Sequence, residues 1–124
     1  MVLIFTGKEQ LDKDLNKKIP NSRVVYYPDY VLQEEKAETL IITVQPNKFN
    51  FKDFLFKVRK KNIQVILILE NSKVKELKDA LILGIYDIVF DPFTLDDICQ
   101  KIEKPTQFSK FSNFIEDIIE LDTN

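Results

Sequence analysis

The stretch Ile63–Ile98, IQVILILENSKVKELKDALILGIYDIVFDPFTLDDI, carries two turns of a strand–helix alternation without a break. Its opening run, Ile63–Leu69, is the most apolar of the chain and has the length of a strand buried on both faces. Ser72 stands where a helix cap is expected, ahead of Val74, Leu77, Ala80 and Leu81 on one inward face. Gly84 stands just past the end of that helix, where a left-handed residue is needed. Tyr86–Phe90 reads as the next strand. Asp91-Pro92-Phe93 then turns the chain, and Thr94 with Asp97 has the spacing that opens a capped helix.

The same alternation extends in both directions. Val2–Phe5 is a short apolar strand, and Thr6 with Glu9 matches a capping box. Leu11, Leu15 and Ile19 follow at helical spacing until Pro20. Arg23–Tyr27 reads as a second strand ended by Pro28, and Tyr30–Ala37 as a short helix or loop. Thr39–Gln45 is β-branched and apolar on both faces, as a central parallel strand requires. Asn50 and Asp53 cap a helix with Phe51, Phe54, Leu55 and Val58 on its apolar face. Pro105 ends the fifth helix, and Phe108, Phe111, Ile118 and Ile119 mark a further amphipathic segment.

Strands and helices in strict alternation imply a parallel sheet with right-handed crossovers and helices on both faces. The expected fold is α/β: a flavodoxin-like, doubly wound five-stranded sheet of order 2-1-3-4-5, with an extra C-terminal helix. Residues 1–104 are expected to form the domain. Residues 105–124 are expected to be an amphipathic helix or tail that packs on the domain or across a dimer, with a linker to a missing domain as the alternative.

Composition excludes several functions. A net charge of −2 offers no field to draw in nucleic acid or an anionic membrane. One cysteine, Cys99, cannot form an internal bridge, which fits a reducing cytoplasm. The N-terminal apolar run is too short for a signal peptide or a membrane span. The chain has no histidine, so the usual general base and the commonest metal ligand are both missing. Its two glycines, Gly7 and Gly84, cannot build a glycine-rich phosphate loop. No cofactor, no metal and no catalytic residue is expected.

From Ile63 to Ile102 the chain resembles a response-regulator receiver domain. Receivers read as an apolar fourth strand, a helix, the run G-A-x-D-Y-L-x-K-P-F and a fifth helix. Gly84, Asp87, Pro92 and Phe93 stand where that family has the same residues. Upstream the likeness is one of pattern. The resemblance implies a signalling or interaction role, with dimerisation through the fourth helix, fifth strand and fifth helix. Degenerate receivers of this kind also occur at the N-terminus of ParA/MinD-like ATPases of Flp (Tad) pilus assembly.

The resemblance fails where the family keeps its chemistry. The two acids that hold Mg²⁺ in receivers map to Thr6 and Gly7, and the phosphoacceptor aspartate to Thr43. The hydroxyl that contacts the phosphoryl group maps to Leu69, the switch aromatic to Ile88, and the pairing lysine to Asp91. Phosphorylating a carboxylate needs a nucleophilic carboxylate, a metal and a cation at the developing negative oxygens. No acid occurs from Thr39 through Lys52, and Asp91 carries the wrong sign.

Plainer readings cover most other features. Asp91 before a proline is an ordinary turn residue, and Asp96 and Asp97 suit a first helical turn. A metal site from Asp87, Asp91, Asp96 and Asp97 is opposed by strand alternation, which spreads them. Lys57, Arg59, Lys60 and Lys61 suit the end of a helix better than a nucleic-acid patch. Cys99 suits a core position. The expected function is a phosphorylation-independent protein-interaction or dimerisation module, not an enzyme. Its partner is a second copy or a C-terminal effector domain, and Leu77, Leu81, Tyr86, Phe90, Phe93, Phe108 and Phe111 are the interface candidates. The alternative is a small-ligand sensor using Thr6, Thr43, Gln45, Glu70, Asn71 and Asp91 at the C-terminal edge of the sheet.

Overall fold

The structure, a computed structural model, describes residues 1–106. In chain order these form β1 (Val2–Phe5), α1 (Glu9–Lys18), β2 (Ser22–Val24), α2 (Pro28–Gln33) and β3 (Thr39–Thr43). Then follow α3 (Phe51–Lys60), β4 (Gln64–Leu69), α4 (Glu76–Ile82), β5 (Asp87–Phe90) and α5 (Leu95–Glu103). The strands form one parallel sheet of order β2-β1-β3-β4-β5, as the alternation implies. The expected C-terminal helix lies outside the described residues.

Side-chain alternation divides the core into two layers. Leu3, Phe5, Leu40, Ile42, Val65 and Leu67 point to one face, under Val31 of α2, Leu55 and Val58 of α3, and Leu77 and Ala80 of α4. Ile4, Ile41, Ile66, Ile68 and Val89 point to the other, under Leu15 of α1 and Ile98 of α5. This is why β3 and β4 read as continuous apolar runs: neither face of them meets water. Part of the phenylalanine content is spent where β1 meets α3. There Phe49 stacks on Phe5 with ring centroids 5.6 Å apart and meets Phe54 edge-on at 5.3 Å.

Several boundaries differ from the sequence expectation, each for a local reason. The second strand stops at Val24, since β2 pairs only with β1 at the sheet margin. Pro28 starts α2 at its first turn instead of merely ending a strand, because that position needs no N–H. The third strand ends at Thr43, not Gln45. Ser72 does not cap α4, which begins later at Glu76 behind Lys75. The other end of α4 is as expected: the Gly84 N–H bonds to Leu81 O and the Ile85 N–H to Ala80 O, with Gly84 at φ +76°. That pair of bonds is the Schellman arrangement, which satisfies carbonyls the helix leaves free. Thr94 and Asp97 make the full reciprocal capping box at α5.

One buried acid ties the bottom of the sheet to the chain leaving α5. Asp87 accepts the Gln64 amide at 3.0 Å and the Thr106 backbone N–H at 2.6 Å, with 6% of its surface exposed. Gln64 also donates to Lys101 O at 3.0 Å and accepts the Thr39 hydroxyl at 3.1 Å. Replacing Asp87 by Ala leaves the part-buried Thr106 N–H without its acceptor and the Gln64 amide with Lys101 O alone, so the expected cost is about 1 kcal/mol. Urea unfolding measures it, and a change within a few tenths of a kcal/mol would show the latch to be idle.

Candidate functional site

All strands run in one direction, so their C-terminal ends and the following loops share one edge. The pairing of Phe5 with Ile42, Thr43 with Ile68, and Leu69 with Phe90 lines those ends up across the sheet. The positions just beyond them are Thr6, Gly7, Glu70 and Asp91. In open α/β sheets this edge is where ligands and reactions are found.

A closed set of hydrogen bonds occupies its centre. The Thr43 hydroxyl donates to the Thr6 carbonyl at 2.6 Å, and the Thr6 hydroxyl donates to Asp12 Oδ1 at 2.6 Å. The Thr6 hydroxyl also accepts the Lys8 N–H at 3.1 Å, while the Thr6 N–H reaches Asp12 Oδ1 at 3.3 Å. Gln45 donates to the Phe5 carbonyl at 3.1 Å. Thr6, Asp12, Thr43 and Gln45 are all buried. Thr6 is therefore not half of a capping box with Glu9. It forms a two-residue turn onto Lys8, and the N-cap of α1 is Lys8, whose side chain makes no capping bond. Asp12 escaped the sequence reading because it sits among exposed charges on an amphipathic helix; its spacing three residues before buried Leu15 was the one available signal. Burial pushes its carboxyl above the ordinary value, against the opposing pull of the two Thr6 hydrogen bonds.

The remaining positions mapped from the resemblance do not converge on a reaction centre. Leu69 and Ile88 are buried in the core. Asp91 is exposed, its N–H bonded to Leu69 O at 3.0 Å, and its peptide bond to Pro92 is cis. A cleft of roughly 310 Å³ lies over β3, β4 and β5, with Lys8, Thr43, Leu69, Glu70, Glu76 and Asp91 in its wall. Three carboxylates there face one lysine, the wrong balance for holding a phosphoryl group. Among the described residues no three acids or thiols gather closely enough to hold a metal ion.

The residues expected to form a polar rim are divided between clefts. Thr43, Glu70 and Asp91 line this first cleft, whereas Gln45 lines a second of roughly 400 Å³ on the β1–β2 side. Asn71 turns back to accept the Lys73 N–H at 2.8 Å. The four aspartates considered together are likewise spread apart: Asp87 faces the opposite edge, Asp96 pairs with Lys18 at 3.0 Å, and Asp97 is spent in its capping box.

The interface candidates are also sorted. Leu77 is only 1% exposed and belongs to the core, so it presents nothing to a partner. Leu81 and Phe90 are half-buried against the first core layer and Phe93 against the second, and Tyr86 is half-buried. Phe108 and Phe111 lie outside the described residues. The apolar side chains most open to water on the α3–α4 side are Ile82 at 77% and Phe56 at 51%. Both follow from the inward faces already assigned to their helices, which leave these two positions outward. The basic run at the end of α3 is used locally: Arg59 donates to Leu83 O and Ile63 O, Lys61 to Leu32 O, and Lys57 pairs with Asp53. Cys99 is half-buried in the second layer, and burial pushes its thiol up.

Neither a protein-family profile nor a curated protein matches the sequence. Solved structures do. A receiver domain of a Francisella response regulator superposes with a TM-score of 0.67 at 17% identity, covering 82% of this chain and 92% of that one. The chemotaxis response regulator CheY4 of Vibrio cholerae gives 0.68 at 11% identity, with 83% and 95% covered. A protein assigned to pilus assembly (CpaE) from Burkholderia thailandensis gives 0.62 at 12% identity, with 83% and 94% covered. The chain has the receiver fold.

Asp12 sets a test of the buried network. Its folded pKa lies above the unfolded one, so more protons are bound in the folded state between the two values. Its contribution to stability is therefore greatest below the ordinary value of 3.8 and falls as pH rises through the raised folded pKa. Asp12→Asn keeps an acceptor for Thr6 and removes the charge. The variant should gain on the wild type across that window and hold the gain at neutral pH, as read by urea unfolding at acid and neutral pH. A variant that loses ground as pH rises would contradict it.

Proposed function

We propose that this chain is a phosphorylation-independent receiver-like domain, acting as a protein-interaction and dimerisation module in a cytoplasmic signalling or assembly system and catalysing nothing itself. The observation that carries this reading is the state of the strand ends. Where receiver chemistry needs carboxylates, Thr6 and Thr43 have hydroxyls already committed to buried partners. Where it needs a cation, Asp91 stands beside Glu70 on the same cleft. Asp12, the one acid in the network, has its Oδ1 bonded to Thr6 and sits on a helix instead of at a strand end.

The surface for association is the one built by α4, β5 and α5. β5 is an edge strand of the sheet, so one side of its backbone is open to pairing or covering. Ile82 is exposed at the end of α4, with Leu81, Tyr86 and Phe90 half-buried in the elements beside it. A second copy or a C-terminal effector domain is the partner this face suits, with residues 105–124 as the segment that packs on the domain or leads to that effector. The likeness to response regulators and to a pilus assembly protein supports a place in signalling or assembly.

The two clefts at the strand edge favour ligand sensing as a second reading, since concave sites at a sheet's switch point are where such folds take small molecules.

Incubation with acetyl phosphate and Mg²⁺ should leave the intact mass unchanged; gain of a phosphoryl group would overturn the phosphorylation-independent reading. Sedimentation equilibrium should show a dimer that Ile82→Lys weakens by about tenfold or more, because it buries an unpaired charge in the interface. A wild type that stays monomeric at high concentration would remove self-association and leave the effector domain as partner.

A further inference from the structure

The cleft on the β1–β2 side plays no part in the interaction surface. Its wall includes Gly7, Asp12, Tyr26, Tyr27, Gln45 and Lys48. Tyr26 and Tyr27 expose 71% and 72% of their surface, although they directly follow buried Val25. Exposed aromatic rings in a cleft wall offer a stacking surface to a flat partner.

Glu9 and Lys13 stand in the wall with Lys48, and the buried polar groups behind the rings offer acceptors. Gln45 is 8% exposed and spends its amide N–H on the Phe5 carbonyl, while its Oε1 accepts nothing from any described residue. Every fully buried side-chain polar atom among the described residues has a partner, so this oxygen is not closed off from solvent, and Gln45 stands in the wall of this cleft. Asp12 spends Oδ1 on Thr6, and its Oδ2 likewise accepts nothing. The two acceptors are held by consecutive residues, Phe5 and Thr6, at the end of β1. Gly7 keeps the approach open: a Cβ there would lie 3.1 Å from Gln45 Oε1, on a backbone at φ +71°.

We propose that this cleft binds a planar heteroaromatic ligand with adjacent N–H donors on one edge, of the guanine type. The ring lies against Tyr26 and Tyr27, and the donor edge meets Gln45 Oε1 and Asp12 Oδ2. Two buried acceptors select donors at that end of the cleft, because an edge that itself accepts would leave buried lone pairs facing each other unpaired. Guanine places a ring N–H beside an amino group, whereas adenine sets its amino group beside an acceptor. Paired donors would also stabilise the ionised form of Asp12 that burial disfavours. This assignment gives the ligand-sensing reading a site and a chemistry, and it is independent of the α4–β5–α5 surface.

The test is an amide NMR titration of the full chain with guanosine and with adenosine. Guanosine should give saturable shifts gathered at Gly7, Tyr26, Tyr27 and Gln45, with adenosine weaker by about tenfold or more. Gln45→Leu and Tyr27→Leu should each weaken guanosine by about tenfold. Tyr27 is on the surface, so that variant tests the site even if Gln45→Leu does not fold. Equal binding of the two nucleosides would overturn the donor-edge assignment. Shifts gathered at Glu70 and Asp91 would keep ligand sensing but move it to the other cleft. No saturable shift anywhere would remove this site and leave the interaction surface as the function.

Discussion

Burial of β3 and β4 on both faces is the constraint on which the rest of this structure depends. Thr39–Thr43 and Gln64–Leu69 present apolar side chains up and down, so helices must cover both sides of the sheet. Parallel pairing with helical crossovers then brings every strand to the same edge pointing the same way. The position of the candidate site follows from that requirement before any polar residue is considered. So does the division of helices, with α2, α3 and α4 over one layer and α1 and α5 over the other.

At the shared edge, backbone carbonyls and short polar side chains leave the core with nowhere regular to bond. An unsatisfied buried polar group costs about 1–3 kcal/mol, so these groups must find one another or water. In this chain they find one another: Thr43 to Thr6, Thr6 to Asp12, Gln45 to Phe5. The arrangement strengthens the junction of β1, β3 and α1 and withdraws two hydroxyls from chemistry. What it leaves over are acceptors on the β1–β2 side and an acid-rich cleft over β4 and β5. The stability of the strand ends and the commitment of their hydroxyls thus have the same physical origin.

The receiver fold tolerates this because its architecture and its chemistry rest on different residues. Gly84 ends a helix through its positive φ, Asp87 gathers part-buried donors beneath the sheet, and Thr94 with Asp97 starts α5. None of these touches the strand-end cleft. Asp91, one residue past β5, can change sign with little effect on the fold because its side chain is exposed.

Much of the fold was legible in the sequence because its signals are local. Apolar runs of strand length, helical spacing, Asn50, Thr94 and Gly84 each report on neighbours within one turn, and strict alternation leaves few topologies. The boundaries that moved were set from a distance. β2 is short because only β1 pairs with it, and Ser72 fails as a cap because α4 starts where packing against α3 and the sheet allows. Thr6 looked like a capping residue because sequence shows only Glu9 three places on, whereas folding presents it with Asp12 and Thr43. That no acid stands from Thr39 through Lys52 is a matter of residue identity alone, since no folding supplies a missing carboxylate. Which polar groups are paired, which apolar side chains stay in water and which acceptor is left facing a cleft depend on contacts between segments far apart in the chain. Only the tertiary structure decided those.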